Sequence, residues 1–255
     1  MTHLVAIPVF NEAPTLRRVL NAVRRHARDV LVVNDGSTDG TGALLADLRA
    51  AREIGRVEVI QHPENRGYGQ SLIDAFCWAA RHGYDWVITI DCDEQHEPAR
   101  IPDFIRAAER DDADVISGSR YLGGFSNDDA APADRRRINQ TVNGLLEQIL
   151  GLRLTDSFCG FKAHRVSAMR RLRLDEPGYA FPLQFWVACA RAGLRIRELP
   201  VPRIYRDLSR EFGGTLDDPA ARLQHYLEVF VNELRREPAP ATPVARCSPC
   251  DCGLG

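Results

Sequence analysis

The opening stretch of about 120 residues predicts an α/β fold, a mostly parallel central sheet with helices on both faces. Two observations carry that expectation. Short apolar, mostly β-branched runs recur at Leu4–Ile7, Val30–Val33, Val57–Ile60 and Trp86–Ile90, with a fifth at Val115–Ile116. The stretches between them have helical spacing, as in Leu16, Val19, Leu20 and Val23, and then Leu44, Leu45 and Leu48. Strands buried on both faces read as unbroken apolar runs, and their alternation with helices favours parallel pairing. No repeat of fixed period is present.

Beyond Tyr121 the pattern changes. Residues 123–134 are polar and rich in Gly, Asp and Ala, which predicts a mobile loop able to act as a lid. A helix is expected from about Pro132 to Leu150, a strand-like piece around Gly160–Ala163, and a helix over Phe181–Ala192. In the last helix Leu223, Tyr226, Leu227, Phe230, Val231 and Leu234 form one apolar stripe. Such a stripe usually faces a core, with membrane docking as the alternative. Val142, Leu145, Leu146, Ile149 and Leu150 pose the same choice.

From Glu237 onward Pro-Ala-Pro-Ala-Thr-Pro breaks every regular pattern. The expected organisation is therefore one domain over residues 1–236 and a disordered tail over 237–255. The tail holds Cys247, Cys250 and Cys252, without a partner pair at metal spacing and without a prenylation box. Cys77, Cys92, Cys159 and Cys189 stand singly in apolar or motif segments, where reduced packing cysteines are expected.

With 255 residues, 44% apolar and 27% charged, the chain can bury one substantial core. A net charge of −2 gives no basic field for nucleic acid. No apolar run approaches the roughly 20 residues that cross a bilayer. The N-terminus runs straight into a strand-like segment. A cytoplasmic chain, or one peripheral on the cytosolic face of a membrane, is the expectation.

The polar groups fall in one kind of place. Pro8-Val9-Phe10-Asn11-Glu12, Asn34-Asp35-Gly36-Ser37, Asp91-Cys92-Asp93 and Gly118-Ser119-Arg120 each follow the C-terminal end of a strand run. In a doubly wound sheet those ends share one edge, where ligands bind. On extended backbone Asp91 and Asp93 point the same way, and paired carboxylates repel unless a cation lies between them. A hard divalent ion carrying diphosphate oxygens suits such a pair. Asp39 reads as a helix cap, whereas Asp35, nearer the strand, can accept hydrogen bonds from a base edge. Glycine spacing does not fit a dinucleotide fingerprint, and Walker A and H-E-x-x-H are absent.

Together these segments resemble family 2 glycosyltransferases of the GT-A (nucleotide-diphospho-sugar transferase) fold, in particular the dolichyl- and polyprenyl-phosphate mannosyl- and glucosyltransferases. The resemblance rests on residues 7–12, 32–41, 65–69, 91–96, 118–121, 155–162 and 199–202, in order, to about residue 235. It implies that Pro8, Phe10, Glu12, Asp35 and Asp91 hold the donor nucleotide, with Arg206 on its diphosphate. Asp91, Asp93 and Gln95 would ligate Mg2+ or Mn2+. Arg120, Arg137 and Thr141 would grip an acceptor phosphate. The implied reaction inverts the anomeric carbon of a hexose carried by GDP-mannose or UDP-glucose, with a polyprenyl phosphate as acceptor. A phosphate needs no general base. For a hydroxyl acceptor Asp156 is the candidate base, unless it orients the Gly160 turn. A soluble hydroxyl acceptor, or nucleotide-sugar binding without turnover, are the alternatives. Arg137 also belongs to the run Arg135–Arg137, and such runs are often solvated.

Overall fold

All five apolar runs become strands in the computed structural model, which describes residues 1–51, 57–125, 128–205 and 213–237. Along the first part of the chain come β1 (His3–Val9), α1 (Ala13–Arg24), β2 (Val30–Asn34), α2 (Thr41–Ala50), β3 (Val57–Gln61) and α3 (Tyr68–Arg81). β4 (Trp86–Thr89), α4 (Ile101–Glu109) and β5 (Val115–Ser119) follow. The second part adds α5 (Ala133–Leu150), β6 (Lys162–Arg165), a one-turn α6 (Val166–Met169), α7 (Phe181–Arg191), β7 (Ile196–Pro200) and α8 (Pro219–Arg235).

The strands form one sheet in the order β3-β2-β1-β4-β6-β5-β7. Pairing is parallel except around β6, which runs antiparallel to both β4 and β5. β6 therefore separates β4 from β5 while leaving those two strands pointing the same way. The polar clusters after β1, β2, β4 and β5 consequently reach one edge. That edge includes the switch point where β1 lies between β2 and β4, the usual crevice of such sheets.

Both faces are covered. α3, α5, α7 and α8 pack over one face, burying Leu31, Val87, Trp186 and Phe230. α1, α2 and α4 cover the other with Leu16, Leu20, Phe104 and Trp86. Each fully buried Leu or Phe here contributes about 1.5–3 kcal/mol of transfer free energy. The α8 stripe is core-facing, with Tyr226 and Phe230 buried and only Val231 well exposed. On α5, Val142 and Leu146 are buried, and Ile149 alone stands out as exposed. Packing, not a docking face, accounts for these apolar residues. No helix among the described residues is long and apolar enough to cross a membrane.

One expectation changes, and two elements are additional to those expected. β7 and α6 carried no clear periodic signal and were not anticipated. Cys92, Cys159 and Cys189 are free and buried, but Cys77 is disulfide-bonded. Residues 121–125 and 128–132 form no helix or strand, yet the described part of this loop is tied down. Asp128 Oδ1 accepts from Arg203 N at 2.8 Å, and Asp129 Oδ2 accepts from Tyr205 N at 2.7 Å. The cysteine-bearing tail lies outside the described residues.

The loops after β1 and β2 are stitched to each other. Asn11 N donates to Ser37 Oγ at 2.9 Å, and Asn11 Oδ1 accepts from Thr38 N at 2.8 Å. Asp39 serves two helix starts. Its Oδ2 accepts from Ala13 N at 3.1 Å and its Oδ1 from Thr41 N at 3.1 Å, so it holds the first N–H of each helix from outside the N-cap positions, which are Glu12 and Gly40. Replacing this acceptor, as in Asp39→Ala, should cost about 1–2 kcal/mol of stability, at the strong end for a cap because two N–H groups lose their partner. Urea unfolding at neutral pH measures it.

Candidate active site

A cavity of about 840 Å³ opens at the C-terminal edge of the sheet. Pro8 enters it from the end of β1, Phe10 and Glu12 after β1, and Asp35 after β2. Asp91, Asp93 and Gln95 enter after β4, and Arg120 after β5. Of the positions expected at this site, those eight come together. Arg206 lies outside the described residues.

Asp91 is the most constrained acid. The Tyr68 hydroxyl donates to its Oδ1 at 3.1 Å, and His96 Nε2 lies 3.1 Å from its Oδ2. Burial pushes the Asp91 carboxyl pKa up, but His96 and the Tyr68 hydrogen bond outweigh that and hold it below the usual value. Gly160 lies directly against it, where any Cβ would overlap the carboxylate. Asp93 Oδ1 accepts from Gln95 N at 3.0 Å, closing a tight turn. Cys92, between the two acids, is buried in the opposite core. Two carboxylates and one amide oxygen form a hard-oxygen donor set, which fits Mg2+ or Mn2+ when substrate phosphates complete the shell. Among the described residues no group of three or more His, Cys, Asp or Glu could hold a metal by itself.

Asp35 is buried and serves as an acceptor three times over. Oδ1 takes Arg66 N at 2.8 Å and lies 2.6 Å from His62 Nδ1, while Oδ2 takes Gly67 N at 2.8 Å. Gly67, at φ 103°, packs where a Cβ would overlap the Pro177 carbonyl oxygen. Asn34, beside Asp35, is structural, since its side-chain nitrogen donates to Gln61 Oε1 at 2.8 Å.

Arg120 is gripped by Asp156, with Nε to Oδ2 at 2.7 Å and Nη2 to Oδ1 at 2.9 Å. Arg120 N also donates to Asp156 Oδ2 at 3.1 Å. Asp156 is fully buried and does not line the cavity. Burial raises the Asp156 carboxyl pKa, but the neighbouring guanidinium wins and keeps it below the usual value. Of the two readings of Asp156, base or orienting residue, this geometry favours the second, because both its oxygens bond Arg120 and the residue does not line the cavity.

The three acceptor-side positions separate, with Arg120 lining the cavity and the other two outside it. Arg137 and Thr141 are exposed and line no part of the cavity. Arg135 does line it, with Ile138 and Asn139 of the same helix. Three further groups carried no sequence assignment. Arg222 of α8 reaches the cavity with its Nη2 2.6 Å from Asp134 Oδ2. Lys162, buried beside Cys159 with its ammonium over the Trp186 ring, has its pKa lowered by burial. Tyr179 stacks on Tyr68 at 5.9 Å. A helical register drawn through the buried Ile138, Val142 and Leu146 would have selected Arg135 from its run.

With this geometry in place, comparison with known proteins decides the family. The profile of Glycosyl transferase family 2 matches residues 4–173. The chain belongs to glycosyl transferase family 2. This glycosyltransferase is 33% identical over 233 residues to the undecaprenyl-phosphate mannosyltransferase of Micrococcus luteus, covering 89% of this chain and 94% of that protein. It is 31% identical to the polyprenol monophosphomannose synthase of Mycolicibacterium smegmatis, covering 80% and 78% respectively. Its fold matches glucosyl-3-phosphoglycerate synthase of Mycobacterium tuberculosis, solved with Mn2+, UDP and glucosyl-3-phosphoglycerate, at a TM-score of 0.67 and 20% identity, covering 91% and 79%. The transferase therefore has the expected GT-A fold.

The Arg120–Asp156 pair is almost wholly desolvated, with side chains 14% and 0% exposed. In Asp156→Ala the stranded guanidinium should cost about 3–5 kcal/mol. Asp156→Asn keeps one acceptor oxygen and should cost less. Denaturant midpoints of the two variants provide the comparison.

Proposed function

We propose that this transferase moves a hexose from a nucleoside-diphosphate sugar, GDP-mannose or UDP-glucose, to a polyprenyl phosphate with inversion at the anomeric carbon. The observation that carries the proposal is the distribution of charge in the cavity. Its acids, Glu12, Asp35, Asp91 and Asp93, follow β1, β2 and β4, whereas Arg120, Arg135 and Arg222 line it from β5, α5 and α8. Acids on one side suit a metal-bound diphosphate. Arginines on the other suit a second, attacking phosphate.

In this reading Pro8, Phe10, Glu12 and Asp35 hold the nucleoside. Asp91, Asp93 and Gln95 hold Mg2+ or Mn2+, which when bound offsets charge on the departing nucleotide. Tyr68 and His96 fix the Asp91 carboxylate, and Asp156 fixes the Arg120 guanidinium. Arg120 and Arg135 orient the acceptor phosphate and reduce its repulsion from the donor diphosphate. An anionic phosphate oxygen attacks without losing a proton, consistent with an arginine side that, among the described residues, is lined by no carboxylate. Phe158, Phe181, Tyr226 and Leu216 give the same side apolar walls, suited to the first units of a prenyl chain. The names of the two bacterial relatives support a lipid-phosphate acceptor. A chain peripheral on the cytosolic membrane face follows from such an acceptor.

The test is a panel of radiolabelled GDP- and UDP-sugars with short-chain polyprenyl phosphate, with and without chelator. Lipid-linked product from one donor, abolished by chelator, is expected. Asp93→Ala should lose at least about a hundredfold in turnover. Label appearing only on a soluble hydroxyl acceptor would overturn the lipid assignment, and full activity in Asp93→Ala would overturn the metal assignment.

A further inference from the structure

We infer that His62 is a positioning residue for donor recognition, an imidazolium shared between Asp35 and Asp74 that sets the Asp35 carboxylate against the cavity. The inference rests on the nucleoside reading of Asp35 given above. His62 follows β3 and is 3% exposed, with Asp35 at 3% and Asp74 at 5%. Its Nδ1 lies 2.6 Å from Asp35 Oδ1, and its Nε2 lies 3.0 Å from Asp74 Oδ2. A neutral imidazole has one N–H, so it would turn a bare nitrogen lone pair toward one of these carboxylates. Only the doubly protonated ring turns an N–H toward each carboxylate, in a hydrogen bond to Asp35 and in an ion pair outside hydrogen-bond alignment with Asp74.

The surrounding charges complete the argument. Arg66 Nη1 lies 3.5 Å from Asp74 Oδ2, and Gln70 Nε2 donates to Asp74 Oδ1 at 3.0 Å. Arg66 N and Gly67 N donate to Asp35. The two buried carboxylates thus face one buried cation, His62, and one exposed cation, Arg66. Burial pulls the His62 pKa down, but Asp35 and Asp74 outweigh it and raise it to about 9. The ring is therefore charged at neutral pH.

The cluster joins three elements. His62 N donates to Asn34 O at 2.9 Å, tying the end of β3 to the end of β2, and Asp74 brings in α3. Losing the proton would leave two buried carboxylates around a neutral ring, freeing Asp35 and the 65–67 backbone to shift. The donor-binding wall, not the reacting centre, would feel that change.

Two measurements test this on the full chain. In long-range proton–nitrogen spectra of protein carrying nitrogen-15 histidine, with the His62 signal assigned by its loss in His62→Gln, both ring nitrogens should be protonated at a pH about one unit above the usual histidine value. A neutral ring there overturns the inference. In titrations with UDP and GDP, His62→Gln should weaken the better nucleotide about tenfold. Donor KM should rise with it while kcat changes little. Equal nucleotide affinity in both proteins, or a loss confined to kcat, overturns the positioning role. Failure of the unaltered protein to bind either nucleotide would instead sink the nucleoside reading.

Discussion

The Arg120–Asp156 ion pair is the interaction on which the geometry of this active site depends. Asp156 accepts from the backbone as well as the side chain of Arg120, so it fastens the end of β5 to the turn at 155–160. That turn is held from three other directions. Glu198 of β7 accepts from Thr155 N at 2.9 Å and from Asp156 N at 3.0 Å. Asn139 of α5 donates to Thr155 O at 3.1 Å, and the Thr89 hydroxyl donates to Gly160 O at 2.7 Å. Gly160 in turn abuts Asp91. One hydrogen-bonded unit thus relates the arginine on one side of the cavity to the acid on the other.

Taking a guanidinium and a carboxylate out of water costs several kcal/mol per ion, and only a well-formed, fully hydrogen-bonded pair offsets it. Here the pair is bidentate and receives additional backbone donors, so the arrangement is stiff. A transferase that must hold two anionic substrates near each other benefits from such stiffness. On the proposed reading, arginines and metal-holding acids that stay in place need not reorganise as charge moves during the reaction.

Lys162 occupies the space between the two sides, buried against the Trp186 ring and close enough to Asp91, Asp156 and Arg120 to feel all three. Burial lowers its pKa while the acids raise it. With His96 and Tyr68, it gives the partly buried Asp91 an environment in which the carboxyl pKa stays below its usual value. The antiparallel β6 is what brings Lys162 there, because Lys162 pairs with Thr89 and Ser117 across both neighbouring strands.

Local chemistry alone marked much of this. Apolar runs, polar clusters at their C-terminal ends, and the Asp91/Asp93 pair are statements about neighbours in the chain, and strand direction then carried Pro8, Glu12, Asp35, Asp93 and Arg120 to one edge. What depended on distant contacts was not legible. His62 and Asp74 are separated by a loop and a helical turn, and their meeting with Asp35 required the β2–β3 register and the seating of α3. Asp156 looked like a base because its burial and its bond to Arg120 are tertiary facts. Arg137 and Thr141 were named from the family resemblance rather than from local chemistry; successive helical residues point about 100° apart, and only the packing of α5 against α7 and α8 put Arg135 at the cavity. The sequence determined which chemistry is present and at which edge of the sheet. The tertiary structure decided which groups face the cavity and which hold others in place, since that depends on burial and on partners far away in the chain.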